Sequence, residues 1–229
     1  MDYDRVLVLD LDDTLYPESS FVESGLRAVS AHLQEFCGVQ SHTSMQFMLE
    51  TLQKDGRGRI FNEVRLRFAV KTISIRSLVS IYRAHSPDIS LSSEARGFLL
   101  DLPNFLAKKP YLVTDGNLRV QRSKIKALDI SHFFERTYCT RQFGAPAEKP
   151  SLKVFRHIAE RESIDFSSLI YVGDDPNKDF HKIVEAGGTG IRVRTGRFSQ
   201  VANLHDPKPQ FEISSLAQLR AVLVHRREG

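Results

Sequence analysis

Short apolar runs that stop at polar residues, separated by stretches with helical spacing, constrain this chain more than any other feature. Val6, Leu7, Val8 and Leu9 form an unbroken apolar run, and Asp10, Asp12 and Asp13 follow it within four residues. PYLVTDG (110–116), RTYCT (136–140) and SLIYVGDD (168–175) repeat the theme, as does the more alternating TGIRVRTG (189–196). Runs this short and this apolar read as strands covered on both faces. Between them, RVQRSKIKALDI (119–130) spaces Val120, Ile125 and Leu128 with the period of a helix. KPSLKVFRHIAERE (149–162) does the same with Leu152, Phe155, Ile158 and Ala159, and Pro150 suits its first turn, where no N–H is required. NKDFHKIVEAGG (177–188) turns Phe180, Ile183 and Val184 inward and stops at Gly187 and Gly188. QFEIS (210–214) reads as a last strand, with Ser214 or Ser215 capping a helix through Leu216, Leu219 and Val222. This alternation predicts an α/β fold: a Rossmann-like parallel sheet with helices on both faces, binding ligand at the carboxyl ends of its strands.

Residues 17–89 break the rhythm. Leu26, Val29, Leu33 and Phe36 fit one helix ended by Gly38, and Met45, Met48, Leu49 and Leu52 fit a second ended near KDGRGR. The stretches 64–70 and 78–82 suggest two more. The expected organisation is a core of residues 1–16 and 90–229, with 17–89 inserted as a small helical bundle over the carboxyl edge of the sheet. A chain of 229 residues has room for both.

No run approaches the roughly 18 apolar residues of a membrane helix, and the acidic start MDYDRVLVL does not resemble a signal peptide. Cys37 and Cys139 lie far apart without metal-ligand spacing, so reduced, semi-buried thiols in a cytoplasmic protein are expected. The formal charge of +4 is spread over scattered Lys and Arg, apart from His225-Arg226-Arg227. That pattern argues against a nucleic-acid partner and suits an anionic small substrate. His32, His85 and His157 show no ligand spacing and are expected at the surface.

The chemistry-bearing residues fall just past the ends of the predicted strands: Asp10 with Asp12, Thr114, Lys149, and Asp174 with Asp175 and Asp179. Carboxylates that end a buried strand repel one another where water is scarce, so a cation is expected among them. Mg²⁺, which prefers oxygen ligands, fits one carboxylate from the first strand and one from GDD. Thr114 and Lys149 would then hold a phosphate, one carboxylate would act as nucleophile, and a second, two residues on, would move protons.

In DLDDT (10–14), LVTDG (112–116), EKPS (148–151) and GDDPNKD (173–179), in this order, the chain resembles the haloacid dehalogenase superfamily in its phosphatase branch, and the insertion resembles that family's helical (C1-type) cap. The resemblance implies an aspartyl-phosphate intermediate on Asp10, with Asp12 as general acid/base. It implies Mg²⁺ held by the Asp10 side chain, the Asp12 backbone carbonyl and Asp174, and phosphate held by Thr114 and Lys149. Asp179 would support Lys149 or a water on the metal, and Asp175 would partner Asp174. Dehalogenating members usually lack a carboxylate at the position of Asp12. Asp115, which stands where many members of that family have Asn, is counted with Thr114 and Lys149 among the phosphate-binding residues. DDTLYP is similar to nucleotidase-like members and TDG…QRSKI…KPS to phosphatases of sialic-acid phosphates, so the expected substrate is a nucleotide or sugar phosphate. Arg57 and Arg59 of KDGRGRIF (54–61) and Tyr16 are candidates for substrate contact. A phosphomutase of the same superfamily is the nearest alternative. A receiver-type signalling domain would be half this length and carry its acceptor on the third strand.

Overall fold

In a computed structural model that describes residues 5–225, the strands form one sheet in the order β3-β2-β1-β4-β5-β6, every neighbouring pair parallel. They are β1 (Val6–Leu9), β2 (Tyr111–Thr114), β3 (Arg136–Cys139), β4 (Leu169–Gly173), β5 (Thr189–Val193) and β6 (Phe211–Ile213). Chain order reverses at β1 and β4, whose register pairs Val6 with Leu169 and Leu9 with Val172. Such a reversal opens a crevice at the carboxyl ends of the two strands. β1, β2, β4 and β5 are buried along their whole length, as strands covered by helices on both faces must be.

The chain divides into two compact units. One runs to Glu18 and resumes at Ser90; the other is Ser19–Ile89. In the second unit, α1 (Glu18–Cys37), α2 (Ser41–Asp55), α3 (Ile60–Arg67) and α4 (Ile75–Ala84) close around Leu26, Val29, Leu33, Met48, Val64 and Leu78. Phe36, placed on the apolar face by its spacing, is 62% exposed: Cys37 and Val39 pack against the core at the end of α1 instead, and the Phe36 ring rests on His32 with centroids 4.4 Å apart. His85 also departs from expectation. It lies half-buried between Phe21 and Tyr82, its Nδ1 at 2.6 Å from the Tyr82 carbonyl, and burial holds its pKa below the usual value.

In the first unit, α5 (Ser93–Asp101) is capped by Ser92 and α6 (Leu118–Leu128) by Asn117, whose side chain accepts from the backbone N–H of Arg119 and Val120. The remaining helices are α7 (Lys153–Glu162), α8 (His181–Glu185) and α9 (Leu219–His225). Both α7 and α8 start later than the apolar spacing suggests. Residues 149–152 form an approach in which the backbone N–H of Lys149 donates to Asp115, so Pro150 precedes the helix. Residues 175–179 form a turn that folds Asp179 back onto the backbone N–H of Asp175 at 2.9 Å. Before α9, Leu216–Gln218 makes a single 3₁₀ turn without a side-chain cap from Ser215; Ser214 instead pairs with Gln218, and Leu223 takes the buried place expected of Val222. Cys37 and Cys139 are both free thiols. Among the described residues no helix is long and apolar enough to cross a membrane. Arg226 and Arg227 lie outside the described residues.

Candidate active site

β1 delivers Asp10 to the crevice: its backbone N–H continues the ladder to the Val172 carbonyl at 2.9 Å, so the side chain leaves β1 at the mouth of β4. β4 delivers Asp174 there, and the turn after it returns Asp179. One carboxylate oxygen from each of these three buried residues lies within 4.8 Å of the others. Lys149 enters among them, its Nζ at 3.1 Å from Asp10 Oδ1 and 2.8 Å from Asp179 Oδ1, and donates to the Tyr171 hydroxyl at 2.7 Å. Three carboxylates against one ammonium leave two negative charges in a place with almost no water. Burial is the main reason that Asp10 is pushed up to about 7 and Asp174 to about 9, with the neighbouring carboxylates adding to it. Burial pulls the Lys149 ammonium down, but Asp10 and Asp179 outweigh it and keep its pKa well above the ordinary lysine value. The donor set and its excess charge fit a hard divalent cation.

Gly173 is where this packing leaves no room for a side chain, because a Cβ there would overlap Asp179 Oδ2. Gly173→Ala is expected to push Asp179 away from Lys149 and to lower stability by about 1–3 kcal/mol in urea unfolding. An unchanged unfolding midpoint would show that the turn can yield.

The Asp12 side chain points elsewhere, toward α6. Its Oδ1 accepts from Lys124 Nζ at 2.7 Å and from the Tyr16 hydroxyl at 2.5 Å, and its Oδ2 from Gln121 Nε2 at 2.8 Å. The same Gln121 amide donates to Thr114 Oγ1 at 2.6 Å. Asp13 holds the floor of the loop in a left-handed conformation (φ 53°), accepting from Glu18 N–H at 2.8 Å and Arg197 N–H, with its carbonyl taking the Thr195 hydroxyl. Gly196, at φ +59°, sits so close to the Asp13 carboxylate that a Cβ would overlap it.

Asp115 accepts from the Thr140 hydroxyl at 2.7 Å and pairs with Lys178 Nζ at 3.2 Å. Burial pushes its pKa up, but Lys149 and Lys178 outweigh that and hold it below the usual carboxylate value. The Asp115 carboxylate is therefore not left as an unpaired charge. Asp175 caps the following turn through Asn177 N–H at 3.0 Å and sits 4.0 Å from Lys178.

Asp10, Asp12, Thr114, Asp115, Lys149, Asp174 and Asp175 thus line one cleft of about 330 Å³, joined by Asp13, Glu18, Lys178 and Arg197. Arg57 and Arg59 lie exposed on the loop before α3 in the second unit, Arg59 paired with Glu63 at 3.0 Å. Gln121, Lys124, Tyr171 and Lys178 also belong to this arrangement and were not foreseen from the sequence. For two of them a signal existed: on α6, Lys124 and Gln121 fall about 40° and 100° around from Val120, inside the arc that Val120, Leu128 and Ile125 define. Polar residues inside an apolar arc are buried with a partner.

The profile of the haloacid dehalogenase-like hydrolases matches residues 5–187. Two relatives, each named glyceraldehyde 3-phosphate phosphatase, are 26% identical: one from Methanopyrus kandleri, over 96% of this chain and 97% of its own, and one from Methanocaldococcus jannaschii, over 93% and 94%. A 2-haloacid dehalogenase structure from Pseudomonas syringae pv. Tomato DC3000 superposes over 97% of this chain and 99% of its own with a TM-score of 0.66 at 20% identity, a likeness of fold. With four-fifths of its length matched and the carboxylates, threonine and lysine of the four motifs gathered at one sheet edge, the chain belongs to the haloacid dehalogenase-like hydrolase family.

Proposed function

We propose that this protein is a Mg²⁺-dependent phosphomonoesterase that acts on a small phosphorylated metabolite through an aspartyl-phosphate on Asp10. The observation that carries this reading is the buried meeting of Asp10, Asp174 and Asp179 around Lys149, next to Thr114 and Asp12. Asp10 Oδ forms a bond to phosphorus as the bond from phosphorus to the leaving oxygen breaks, and Asp12 gives that oxygen its proton. Asp12 then takes a proton from water as the water oxygen attacks phosphorus and frees Asp10, giving inorganic phosphate. Lys149 and the Thr114 hydroxyl hold non-bridging phosphate oxygens. Because Gln121 donates to Thr114 Oγ1, the hydroxyl proton of Thr114 is directed away from Gln121 and is available to the phosphate. Lys178, anchored by Asp115, adds a second cation at the rim. Mg²⁺ held by Asp10 and Asp174, with Asp179 nearby, would supply the positive charge that the cluster lacks and lower repulsion toward an incoming phosphate dianion.

The relatives' shared name favours a sugar phosphate over a nucleotide, with glyceraldehyde 3-phosphate the first compound to try. The test is phosphate release from a panel of sugar and nucleoside monophosphates with and without Mg²⁺. Steady release from a few compounds, abolished by chelation, is expected. Return of the phosphate to another position of the substrate, without release, would replace the phosphatase by a phosphomutase.

The cation also has a pH signature. Asp10 and Asp174 are raised in the folded state, so the stability they lend at pH below about 4 is lost as the pH climbs through about 7 and then about 9. Mg²⁺ competes with those protons, so its upward shift of the thermal midpoint should be larger at pH 8.5 than at pH 6. Equal shifts at both values would contradict metal binding at this cluster.

A further inference from the structure

Lys124 is an unusual place for a positive charge. It sits in the middle of α6, on the buried side, with its residue only 2% exposed, and Gln121 one turn earlier is as deeply buried. Burying an ammonium is unfavourable unless it is paired and hydrogen-bonded. Lys124 is paired twice, at 2.7 Å with Asp12 and at 3.7 Å with Glu18, both of which line the cleft. Gln121 presents its amide nitrogen to Asp12 Oδ2 at 2.8 Å, and the same nitrogen reaches Thr114 Oγ1 at 2.6 Å. Tyr16 adds a third donor, and the short backbone bridge between residues 12 and 16 ties that ring to the loop carrying Asp12. A fully buried structural ion pair would connect two elements of the core; this one ends on Asp12, whose side chain turns from the acidic cluster toward α6 and lines the cleft.

We infer that Lys124 and Gln121 are positioning residues for Asp12, holding its carboxyl group in place and stabilising the charge it gains when it passes a proton to the leaving group. The inference rests on the phosphomonoesterase reading above and adds residues outside the four motifs. Donors aimed at a carboxyl group are strongest when that group is fully charged. Charge develops on Asp12 while its proton moves to the departing alkoxide, so the interaction is greater in the transition state than in the ground state and raises the rate. Gln121 has a second part. By donating to both Thr114 and Asp12, it sets the phosphate contact and the proton donor at a fixed separation.

The prediction is selective. An alkyl phosphate has a poor leaving group that needs the proton; 4-nitrophenyl phosphate has a good one that does not. In kcat/KM, which reports the steps up to phosphoryl transfer, Lys124→Met should lose about 10²-fold on glyceraldehyde 3-phosphate or another alkyl phosphate turned over by the wild type, and less than about 3-fold on 4-nitrophenyl phosphate. Lys124→Arg should regain most of the loss. Gln121→Met, which fills similar space without donors, should show the same selectivity and also bind inorganic phosphate more weakly as a competitive inhibitor. Because each variant is compared with itself on two esters, partial unfolding lowers both rates together and leaves their ratio unchanged. An unchanged ratio in both variants, with the wild type active, overturns the positioning role and leaves the phosphatase reading standing. A wild type that releases phosphate from neither ester overturns both.

Discussion

Asp10→Asn should abolish phosphate release, by about 10⁴-fold or more, while leaving a protein that folds as well as the wild type or better. The two halves of this result come from the same burial. Asp10 is 4% exposed, its pKa is pushed up to about 7 chiefly by that burial, and it is the first group on the β1 side of the crevice. An amide oxygen in its place cannot displace an alkoxide from phosphorus, so the covalent route is lost. The amide also carries no charge to desolvate, so the metal-free variant should match or exceed the wild type in urea unfolding at pH 8. Lys149 keeps Asp179 as its partner at 2.8 Å, so no buried cation is stranded. Activity within tenfold of the wild type would remove Asp10 as the nucleophile. A large loss of stability would show instead that the Asp10–Lys149 pair holds the core together.

Lys149→Met should have the opposite balance, with the largest effect on stability of any substitution at the site. The residue is buried, and two buried carboxylates and the Tyr171 hydroxyl converge on its ammonium. Removing one partner of a buried ion pair leaves the other uncompensated, at a cost of about 3–5 kcal/mol. Against the 5–15 kcal/mol that holds most domains folded, this is a large share. Urea unfolding at pH 8 measures it. The double variant Lys149→Met/Asp179→Asn removes one of the stranded charges and should regain more than half of the loss; a double variant as unstable as the single one would mean that the lysine's stem, and not its charge, supports the site. Phosphate turnover should fall in both, since neither retains the ammonium proposed to hold the phosphate.

Much of the site was legible because its chemistry sits where strands end. Asp10, Thr114 and Asp174 follow strands whose apolar runs are unmistakable, and a parallel sheet brings its strand ends to one edge. Lys149 and Asp179 were legible as residues, and the family resemblance offered Asp179 as a support for Lys149, but the apolar spacing did not show how they meet. Their meeting depends on two irregular turns, 149–152 and 175–179; the apolar spacing read the first as helix, and the second as the end of a strand followed by helix from residue 177. Helical periodicity in Leu152, Phe155 and Ile158 says where a helix must be buried, but not how far its first turn extends. The turn 175–179 is set by side chains: Asp175 caps Asn177, and Asp179 caps Asp175. Helix α5 was not foreseen at all. Ser93–Asp101 carries Arg96 and Gly97 among Ala95, Phe98 and Leu99, too short and too interrupted to show a stripe, and Ser92 is its clearest signal. Gln121 and Lys124 were hidden for a different reason. A polar face on a helix is read as solvated, and only the angular position of these two betrays that they lie within the apolar arc. Asp115 stood out in sequence as a departure from its relatives, but the lysine that accompanies it, Lys178, is 63 residues away and became visible only in the fold.

If phosphorus becomes bonded to Asp10 during turnover, that bond can be trapped. Enzyme mixed with substrate and Mg²⁺ is quenched in acid at early times, treated with borohydride, which reduces an acyl phosphate to an alcohol, and analysed by mass spectrometry of the peptide that contains residue 10. Homoserine is expected at position 10, absent when substrate is omitted and absent in Asp10→Asn. Rapid phosphate release with residue 10 recovered as unmodified aspartate at every quench time, and the reduced residue found elsewhere, would contradict it.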